Sequence, residues 1–504
     1  MRLAAVAFAL LSLAAGCAKP ESSPSAVITV ALVSSPNNLD PRVGTDEVSQ
    51  RIHQLIFDPL LSIDHQLRVV PGLAEGWEMP DNRTYVVHLR RGVPFHDGHE
   101  LTSDDVVYTF STLLDPGFLS PRKGAYRMVQ SVTARDRYTV EFRMKEPFGS
   151  FPVNLVMSIV PAGWNGKTPP VGTGPYRFVS AAADDRVVLD SFPRYYRGAP
   201  RNAGIVLRVI PDDVMRGLEL RRGSVDLVVN DLAPDIVHQL QSEGRLQIVK
   251  ADGTDYAYLG FNLRDPVLAN EKVRQAIAFA IDRGAIITYL RRGLAIPAVG
   301  VLPPASWAFN PDVFAFTHDP ARARKLLDEA GYRADSVDGI RLRLSLKVSS
   351  SEFNRLQSAV IQQDLREVGI ELDVRTYEFA TLYADVLKGN FQMFTLQWVG
   401  VSDPDMLRRV FHSKQVPPTG FNRGYFQDAE VDRLIDEATL TADDAVRQRL
   451  YGRVQAIVAR AVPYVSLWDK VNVAIAQPAL RGIRLAPSAD FTFLREVYRE
   501  GAGR

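Results

Sequence analysis

A single cysteine, Cys17, is the feature that most limits what this chain can fold into. Because it has no partner in the chain, an intramolecular disulfide, a CxxC motif and a thiolate metal cage are all excluded. The fold must therefore rest on hydrophobic burial. The chain has 504 residues, of which 46% are hydrophobic and 23% charged. This composition is typical of globular proteins, and the length predicts two or three domains.

The N-terminal segment predicts the role of this cysteine. Arg2 precedes an apolar run that ends shortly before Cys17. The run is shorter than the roughly 20 apolar residues of a membrane-spanning helix, so it predicts a secretory signal peptide over residues 1–16. The ending LAAGC resembles a bacterial lipobox, with Ala14 where leucine is preferred. We therefore predict that Cys17 is lipidated and that residues 17–26 form a tether. The alternative is a plain signal peptide with an incidental cysteine.

The charge balance argues against a nucleic-acid partner. The chain carries 59 Lys and Arg and 58 Asp and Glu, and loss of Arg2 with the signal peptide makes the two counts equal. Proteins that bind nucleic acid are expected to show a basic excess or a basic stripe. Neither is present in this sequence.

Helix and strand patterns alternate along the chain. VITVAL (27–32) has the β-branched alternation of a strand, and residues 47–57 have a helical pattern. The segment 270–290 predicts a long amphipathic helix. The segment 319–332 predicts a helix that is capped by Asp319 and ends at Gly331. A further helix ends at Gly369 and leads into the strand ELDVRTY, and this order favours α/β units.

The segment PFHDGHELTSDD (94–105) crowds two histidines and four carboxylates into twelve residues. Asp97-Gly98 is typical of a tight turn. Thr102 and Asp105 have the spacing of a capping box, with Asp in place of the preferred Glu or Gln. These features favour a structural role, while a metal site on His96 and His99 stays possible on spacing alone. HExxH, GxSxG and a GxGxxG after a strand are all absent from the sequence.

From residue 71 onward the sequence resembles a known family. The stretch PGLAEGWEMPDNRTYVVHLRRGVPFHDGHELTSDDVVYTF is similar to the signature region of the extracellular solute-binding proteins of family 5, the binding components of ABC importers for peptides, nickel and related solutes. Further similar segments occur in the family's order: NNLDP, VGTGPYRF, FPRYYRGAP, YLGFN, VRQAIAFAIDR, ARKLLDEAGY and LQWVGVSDPD. Together they span nearly the whole mature chain.

The resemblance implies an α/β fold of the two-lobe periplasmic binding protein type (type II, similar to cluster C), with an extra α+β domain inserted in lobe I. It predicts lobe I from residues 27–52, 170–262 and 475–504. The inserted domain is then 53–169, which contains PFHDGHELTSDD away from the cleft, and lobe II is 263–474.

The resemblance also implies the function. A binding protein of this kind is not an enzyme, needs no cofactor, and captures a small solute, most often an oligopeptide, by closure of the two lobes about a hinge. It then delivers the solute to an ABC permease complex in the inner membrane. We expect a monomer in the periplasm or at the cell surface, anchored to the membrane through Cys17.

The site residues are implied by the same resemblance. Peptide binders of the family carry, three residues after the tryptophan of the LQW segment, an aspartate that pairs with the peptide ammonium group. Here Val401 holds that place after Trp398, and the aspartate comes two residues later as Asp403. Trp398 is a candidate for stacking on the ligand, and Gly400 for close backbone approach. Thr45 and Asn262 are weaker candidates.

Two alternatives remain open on the sequence. The first is the same fold with a non-peptide solute, such as a nickel chelate, an opine or a sugar, because Val401 stands in the place of the expected aspartate. The second, from a different class, is a secreted metallohydrolase built on His96, His99 and nearby carboxylates. The core and turn roles of Trp398 and Gly400 also compete with ligand binding.

Overall fold

The computed structural model describes residues 27–334, 338–418, 420–441 and 443–501. The predicted signal peptide, Cys17 and the predicted tether lie outside the described residues. The first elements belong to lobe I and are β1 (Val27–Leu32) and α1 (Glu47–Ile56). The inserted part follows as β2 (Leu61–Ile63), β3 (Val69–Pro71), β4 (Ala74–Asp81), β5 (Thr84–Leu89), α2 (Ser103–Leu114), α3 (Lys123–Tyr126), β6 (Val129–Asp136) and β7 (Thr139–Met144).

The chain then returns to lobe I and crosses to lobe II along one long strand. Lobe I adds β8 (Tyr176–Ala182), β9 (Arg186–Ser191), β10 (Gly204–Val209), α4 (Asp213–Arg222), β11 (Leu227–Val229) and α5 (Pro234–Glu243). The crossing strand is β12 (Gln247–Phe261).

Lobe II consists mainly of helices around a short set of strands. Its elements are α6 (Glu271–Ala280), α7 (Arg283–Ala285), β13 (Ala295–Pro297), α8 (Pro320–Glu329), β14 (Leu342–Ser349), α9 (Glu352–Glu367), β15 (Ile370–Tyr377), α10 (Phe379–Lys388), β16 (Met393–Trp398), α11 (Met406–Phe411), α12 (Ala429–Leu440) and α13 (Asp444–Ala461). The chain crosses back along β17 (Tyr464–Ala476) and ends with β18 (Leu480–Arg481) and β19 (Tyr498–Arg499).

One mixed sheet of 11 strands runs through both lobes, in the order β15-β14-β16-β12-β17-β11-β1-β10-β9-β8, with β13 paired to β17. β1 is parallel to β10 and β11, and β14 is parallel to β15 and β16. Apolar clusters cover both faces of the sheet in each lobe. Sheets that contain parallel strands need this cover, because such strands are apolar on both sides. The predicted α/β class is confirmed.

The inserted part has an antiparallel sheet of its own, in the order β4-β5-β7-β6. α2 packs on this sheet and closes a separate apolar core, to which Tyr85, Phe110 and Phe142 contribute. Gly174, in the GTGPY segment, lies where the chain leaves this part and passes the end of α1. A Cβ on Gly174 would lie 2.6 Å from the carbonyl carbon of Ile56. This glycine therefore lets the two backbones touch.

The long helix predicted for 270–290 is interrupted, and this part of the prediction is wrong. α6 ends at Ala280, and the backbone of Ile281 is extended. Asp282 then caps a new helical start by accepting a hydrogen bond from the N–H of Ala285 at 2.9 Å. An aspartate side chain satisfies the free N–H groups at a helix start, so it favours a break at this position. The segment continues as a π-helical turn over Ile286–Leu290.

Candidate ligand-binding cleft

β12 and β17 connect the lobes as an antiparallel pair whose register changes in the middle. Residues 247–252 of β12 pair with 471–476, and residues 256–260 pair with 464–469, with an irregularity between Asp252 and Tyr256. The first half packs with the lobe I cores and the second half with the lobe II cores. The change of core thus falls at residues 253–255 and 470. The domain boundaries drawn from the sequence remain predictions.

The crossing segment also fixes the loop that follows Trp398. Gly400 donates its N–H to Asp255 Oδ1 at 3.0 Å, and Val401 donates its N–H to the carbonyl of Thr254 at 2.9 Å. Asp255 forms an ion pair with Lys470 on the partner strand, with 3.6 Å between the charged atoms. A movement of the crossing strands would therefore move this loop directly.

A cavity of about 850 Å³ lies beside this crossing. Its lining residues fall within 41–65, 122–126, 153–158, 175–201 and 482–496. Ser402 supplies the lobe II side of the lining. The cavity thus lies where the loop after Trp398 faces lobe I. Its volume is within the range of about 300–1,000 Å³ that is usual for small-molecule sites.

Trp398 lies at the end of β16 and packs against the lobe II core. The guanidinium of Arg423 lies 4.3 Å from its ring centroid, and the ring of Phe421 lies 5.6 Å away at a steep angle. The indole Nε1–H is buried and has no hydrogen-bond partner among the described residues. A buried donor without a partner is costly, so this group is one that a ligand or a water could satisfy.

Gly400 and Val401 differ in their surroundings. Gly400 has a φ of +67°, and no atom lies within 4 Å of the position of an added Cβ. It therefore occupies an open turn that favours glycine. Val401 is only 4% exposed, and its side chain packs in the lobe II core.

Asp403 follows directly after the cavity-lining Ser402 and is half-buried. Its Oδ1 accepts a hydrogen bond from the N–H of Asp405 at 2.7 Å. Burial, and then the neighbouring charge of Asp405, raises the pKa of Asp403 to about 6, while Arg447 and Arg409 oppose this shift. Such a carboxylate is poised to gain from a positively charged ligand group, because that charge would offset the cost of its burial.

None of the six predicted residues is among those that line the cavity, and the two weaker candidates, Thr45 and Asn262, lie outside the loop that carries the other four. Thr45 is exposed and lies between two lining residues, Pro41 and Gln50. Its carbonyl accepts a hydrogen bond from Gln50 Nε2 at 2.8 Å. Asn262 is 7% exposed and donates to the carbonyl of Phe391 at 3.0 Å. Its side chain holds lobe II together at the end of β12. Ligand contact by all six predicted residues stays a prediction.

Sequence reasoning missed the arginines of the cavity wall. Five arginines line the cavity: Arg122, Arg197, Arg201, Arg484 and Arg495. His53 also lines it, and burial lowers the pKa of its ring to about 4. These residues come from four separate parts of the chain, so no local motif joins them. Only Arg197 lies within a segment that the family resemblance had singled out.

The inserted part touches lobe II as well as lobe I. The N–H of Gly149 donates to the carbonyl of Thr439 at 2.9 Å. Arg447 donates from Nη2 to Ser150 Oγ at 2.8 Å. Lobe II is thus held against lobe I through β12 and β17 and against the inserted part through α12 and α13.

The segment 94–105 has the structural role that its turn and cap signals favour. Both ring nitrogens of His96 are engaged, since Nε2 lies 2.9 Å from the carbonyl oxygen of Gly174 and Nδ1 accepts from the N–H of Gly172 at 3.2 Å. Burial lowers the pKa of His96 to about 4. Asp105 accepts a hydrogen bond from the N–H of Thr102 at 2.8 Å, which is half of the predicted capping box. The segment does not line the cavity.

The ring of His99 is also occupied by neighbours. It stacks on Phe95 with 4.2 Å between the ring centroids, and its Nδ1 lies 2.6 Å from Asp97 Oδ1. Over the part of the chain that the structure describes, no three His, Cys, Asp or Glu side chains are grouped so as to hold a metal ion. Within the same residues, no helix combines the length and apolarity needed to cross a bilayer.

Comparison with known proteins agrees with this architecture. The profile of the bacterial extracellular solute-binding proteins, family 5 (middle region), matches residues 68–416. The chain belongs to family 5 of the bacterial extracellular solute-binding proteins. The profile match confirms the predicted family. Members of this family bind solutes outside the cytoplasm rather than catalyse reactions.

Three relatives illustrate the range of this solute-binding family. The oligopeptide-binding protein AppA of Bacillus subtilis is 28% identical over 92% of this chain and 90% of its own length. The heme-binding protein A of Haemophilus influenzae is 28% identical over 83% and 82%. The glutathione-binding protein GsiB of Salmonella choleraesuis is 28% identical over 96% and 97%.

A solved structure of AppA from Bacillus subtilis, in complex with a nonapeptide, superposes on this solute-binding protein with a TM-score of 0.74. It covers 94% of this chain and 98% of the AppA chain at 26% identity. The predicted two-lobe fold is confirmed.

Proposed function

We propose that this solute-binding protein captures oligopeptides in the cavity beside Ser402 and delivers them to an ABC permease. The observation that carries the proposal is the position of the cavity, between lobe I and the loop after Trp398, which the crossing strands hold. AppA and GsiB, which match this chain over nearly its whole length, are named for oligopeptide and glutathione binding. Closure about residues 253–255 and 470 encloses the peptide, because the closed form makes ligand contacts that the open form lacks.

In this proposal the ligand meets two kinds of group. Asp403, next to the lining residue Ser402, pairs with the ammonium group of the peptide, and Trp398 and Gly400 approach the ligand when the lobes close. Val401 anchors the loop through its buried side chain rather than touching the ligand. Thr45 and Asn262 act indirectly, by shaping the loop at residues 41–50 and the end of β12.

A peptide library tests the function by thermal shift. Peptide binding to a single site should raise the melting midpoint, since a ligand at 100 times its Kd stabilises by about 2.7 kcal/mol. Peptides, but not sugars, opines or nickel chelates, should shift the midpoint. A shift produced by the non-peptide solutes alone would overturn the peptide assignment. It would favour the second candidate, which Val401 at the expected aspartate position supports.

We also propose that the mature protein is a monomer anchored to the membrane through lipidated Cys17. The support is the sequence LAAGC after a short apolar run. Cys17→Ala should move the protein from the membrane fraction to the soluble fraction, measured by fractionation and immunoblotting. A matched Ala14→Leu variant, which strengthens the lipobox, should stay in the membrane fraction. Membrane attachment of Cys17→Ala would contradict the proposal.

A further inference from the structure

The wall of the cavity carries an excess of positive charge. The five lining arginines face three lining carboxylates, Asp58, Asp490 and Glu496. His53 adds no charge near pH 7, because burial lowers its pKa to about 4. The lining therefore has two more arginines than carboxylates, although the whole chain is nearly neutral.

The three carboxylates already have partners within the wall. Asp58 is buried and accepts hydrogen bonds from Tyr195 Oη at 2.9 Å and Thr173 Oγ1 at 3.1 Å. Asp490 accepts from the N–H of Thr492 at 3.1 Å. Glu496 pairs with Arg495, with 3.1 Å between the charged atoms. None of these contacts engages the other four arginines.

Those four arginines have no carboxylate partner among the described residues. Arg122 donates from Nη2 to the carbonyl of Gly44 at 3.0 Å, and its Nε is buried without a partner. Arg201 lies over the ring of Tyr498, with 3.6 Å from Cζ to the centroid.

The other two of the four, Arg197 and Arg484, are exposed, as Arg201 is. Arg197 donates from Nη2 to the carbonyl of Pro71 at 3.0 Å. The side chain of Arg484 is exposed and makes no hydrogen bond or ion pair within the described residues. These four guanidinium groups thus line the cavity from three separate parts of the chain, and none of them is paired with a carboxylate of the described residues.

Unpaired guanidinium groups in a cleft select for carboxylates. A guanidinium presents a planar set of donors that fits a carboxylate with two parallel hydrogen bonds. A cleft with low-dielectric walls also focuses the field of such charges. We infer that the ligand is a peptide with acidic side chains, whose carboxylates pair with Arg122, Arg201 and Arg484. The inference rests on the proposed peptide-binding function and adds the class of peptide.

Three matched peptides test the inference: Ala-Glu-Ala-Glu-Ala and its Gln and Lys counterparts, each titrated by calorimetry into the full mature protein. We expect the Glu peptide to bind about tenfold more tightly than the Gln peptide, which is near the lower end for charge-assisted hydrogen bonds. The Lys peptide should bind most weakly. Higher salt should narrow the difference, because it screens charges on an open cleft.

Substitution of lining arginines tests whether these residues cause the preference for the Glu peptide. The double variant Arg201→Gln with Arg484→Gln should lower the affinity for the Glu peptide about tenfold and leave the affinity for the Gln peptide within about twofold. Arg186→Gln is the control, because Arg186 pairs with Asp185 at 2.8 Å outside the lining. Without ligand, the wild-type protein, the double variant and the Arg186→Gln control should have the same melting curve.

The outcomes separate the two proposals. Equal affinity for the Glu and Gln peptides, or an equal loss for both in the double variant, overturns the acidic preference and leaves peptide binding standing. If none of the three peptides binds, the proposed function fails and the acidic preference fails with it.

Discussion

Replacing Arg42 by methionine should lower the free energy of unfolding by about 3 to 5 kcal/mol, the usual cost of breaking a buried ion pair. Arg42 is fully buried, and its guanidinium bonds both carboxylate oxygens of Asp40, at 3.0 and 2.8 Å. It also donates to the carbonyl of Trp164 at 3.0 Å. Methionine fills much of the same space, but it leaves Asp40 as an unpaired charge in the interior.

Urea denaturation followed by circular dichroism measures this loss. Arg186→Met is the matched control, because its ion pair with Asp185 is about half exposed and such pairs contribute at most about 1 kcal/mol. The double variant Asp40→Asn with Arg42→Met should recover part of the loss, since it removes the unpaired charge. A loss below about 1 kcal/mol for Arg42→Met would contradict the assigned role.

Replacing Asp403 by asparagine should weaken peptide binding by about a hundredfold, as expected when one partner of a desolvated charge pair is removed. Asparagine keeps the oxygen that accepts the N–H of Asp405, so the loop should keep its shape. Because the raised pKa shows that the ionised carboxylate is disfavoured in the folded protein, the variant should be no less stable at pH 7. Calorimetry and melting curves separate the two effects.

The same carboxylate predicts a pH dependence. An ammonium group pairs with the ionised form of Asp403, and the pKa of this carboxyl group in the ligand-free protein is about 6. Affinity should therefore be highest near pH 7. It should fall at higher pH, because a peptide α-amino group has a pKa of about 7.7–8.0, and it should also fall as the pH drops through 6, by up to tenfold per unit. The Asp403→Asn variant should lack this decline. A wild-type affinity that is flat from pH 7 to 5, or a variant that binds as tightly as wild type, would reject Asp403 as the ammonium partner.

Local structure followed closely from the sequence where short-range chemistry decides it. Asp319 caps α8, accepting a hydrogen bond from the N–H of Arg322 at 2.9 Å, and Gly331 has the positive φ of a helix end. The predicted helix after residue 270 failed for a related reason, because the cap at Asp282 outweighed the apolar periodicity on either side of it. Short-range rules work when all local signals agree.

The cleft was harder to predict because tertiary contacts build it. Spacing along the chain placed Val401 where a ligand-binding aspartate is expected, and the structure shows its side chain in the lobe II core. The fixing contact is the carbonyl of Thr254, almost 150 residues earlier in the sequence. Arg122 and Arg484 likewise line one cavity although they are far apart in the sequence, and only the folded topology brings them together.

The place of β17 in the sheet has a consequence for how the chain is made. β17 lies between β12 and β11, in the middle of the 11-stranded sheet, although it comes from residues 464–476. A nascent chain emerges N-terminus first. The edges of β11 and β12 that pair with β17 therefore have no partner until more than nine-tenths of the sequence has been made. Exposed strand edges invite aggregation. We therefore expect the two lobes to complete their folding together, after β17 has been made, rather than one after the other.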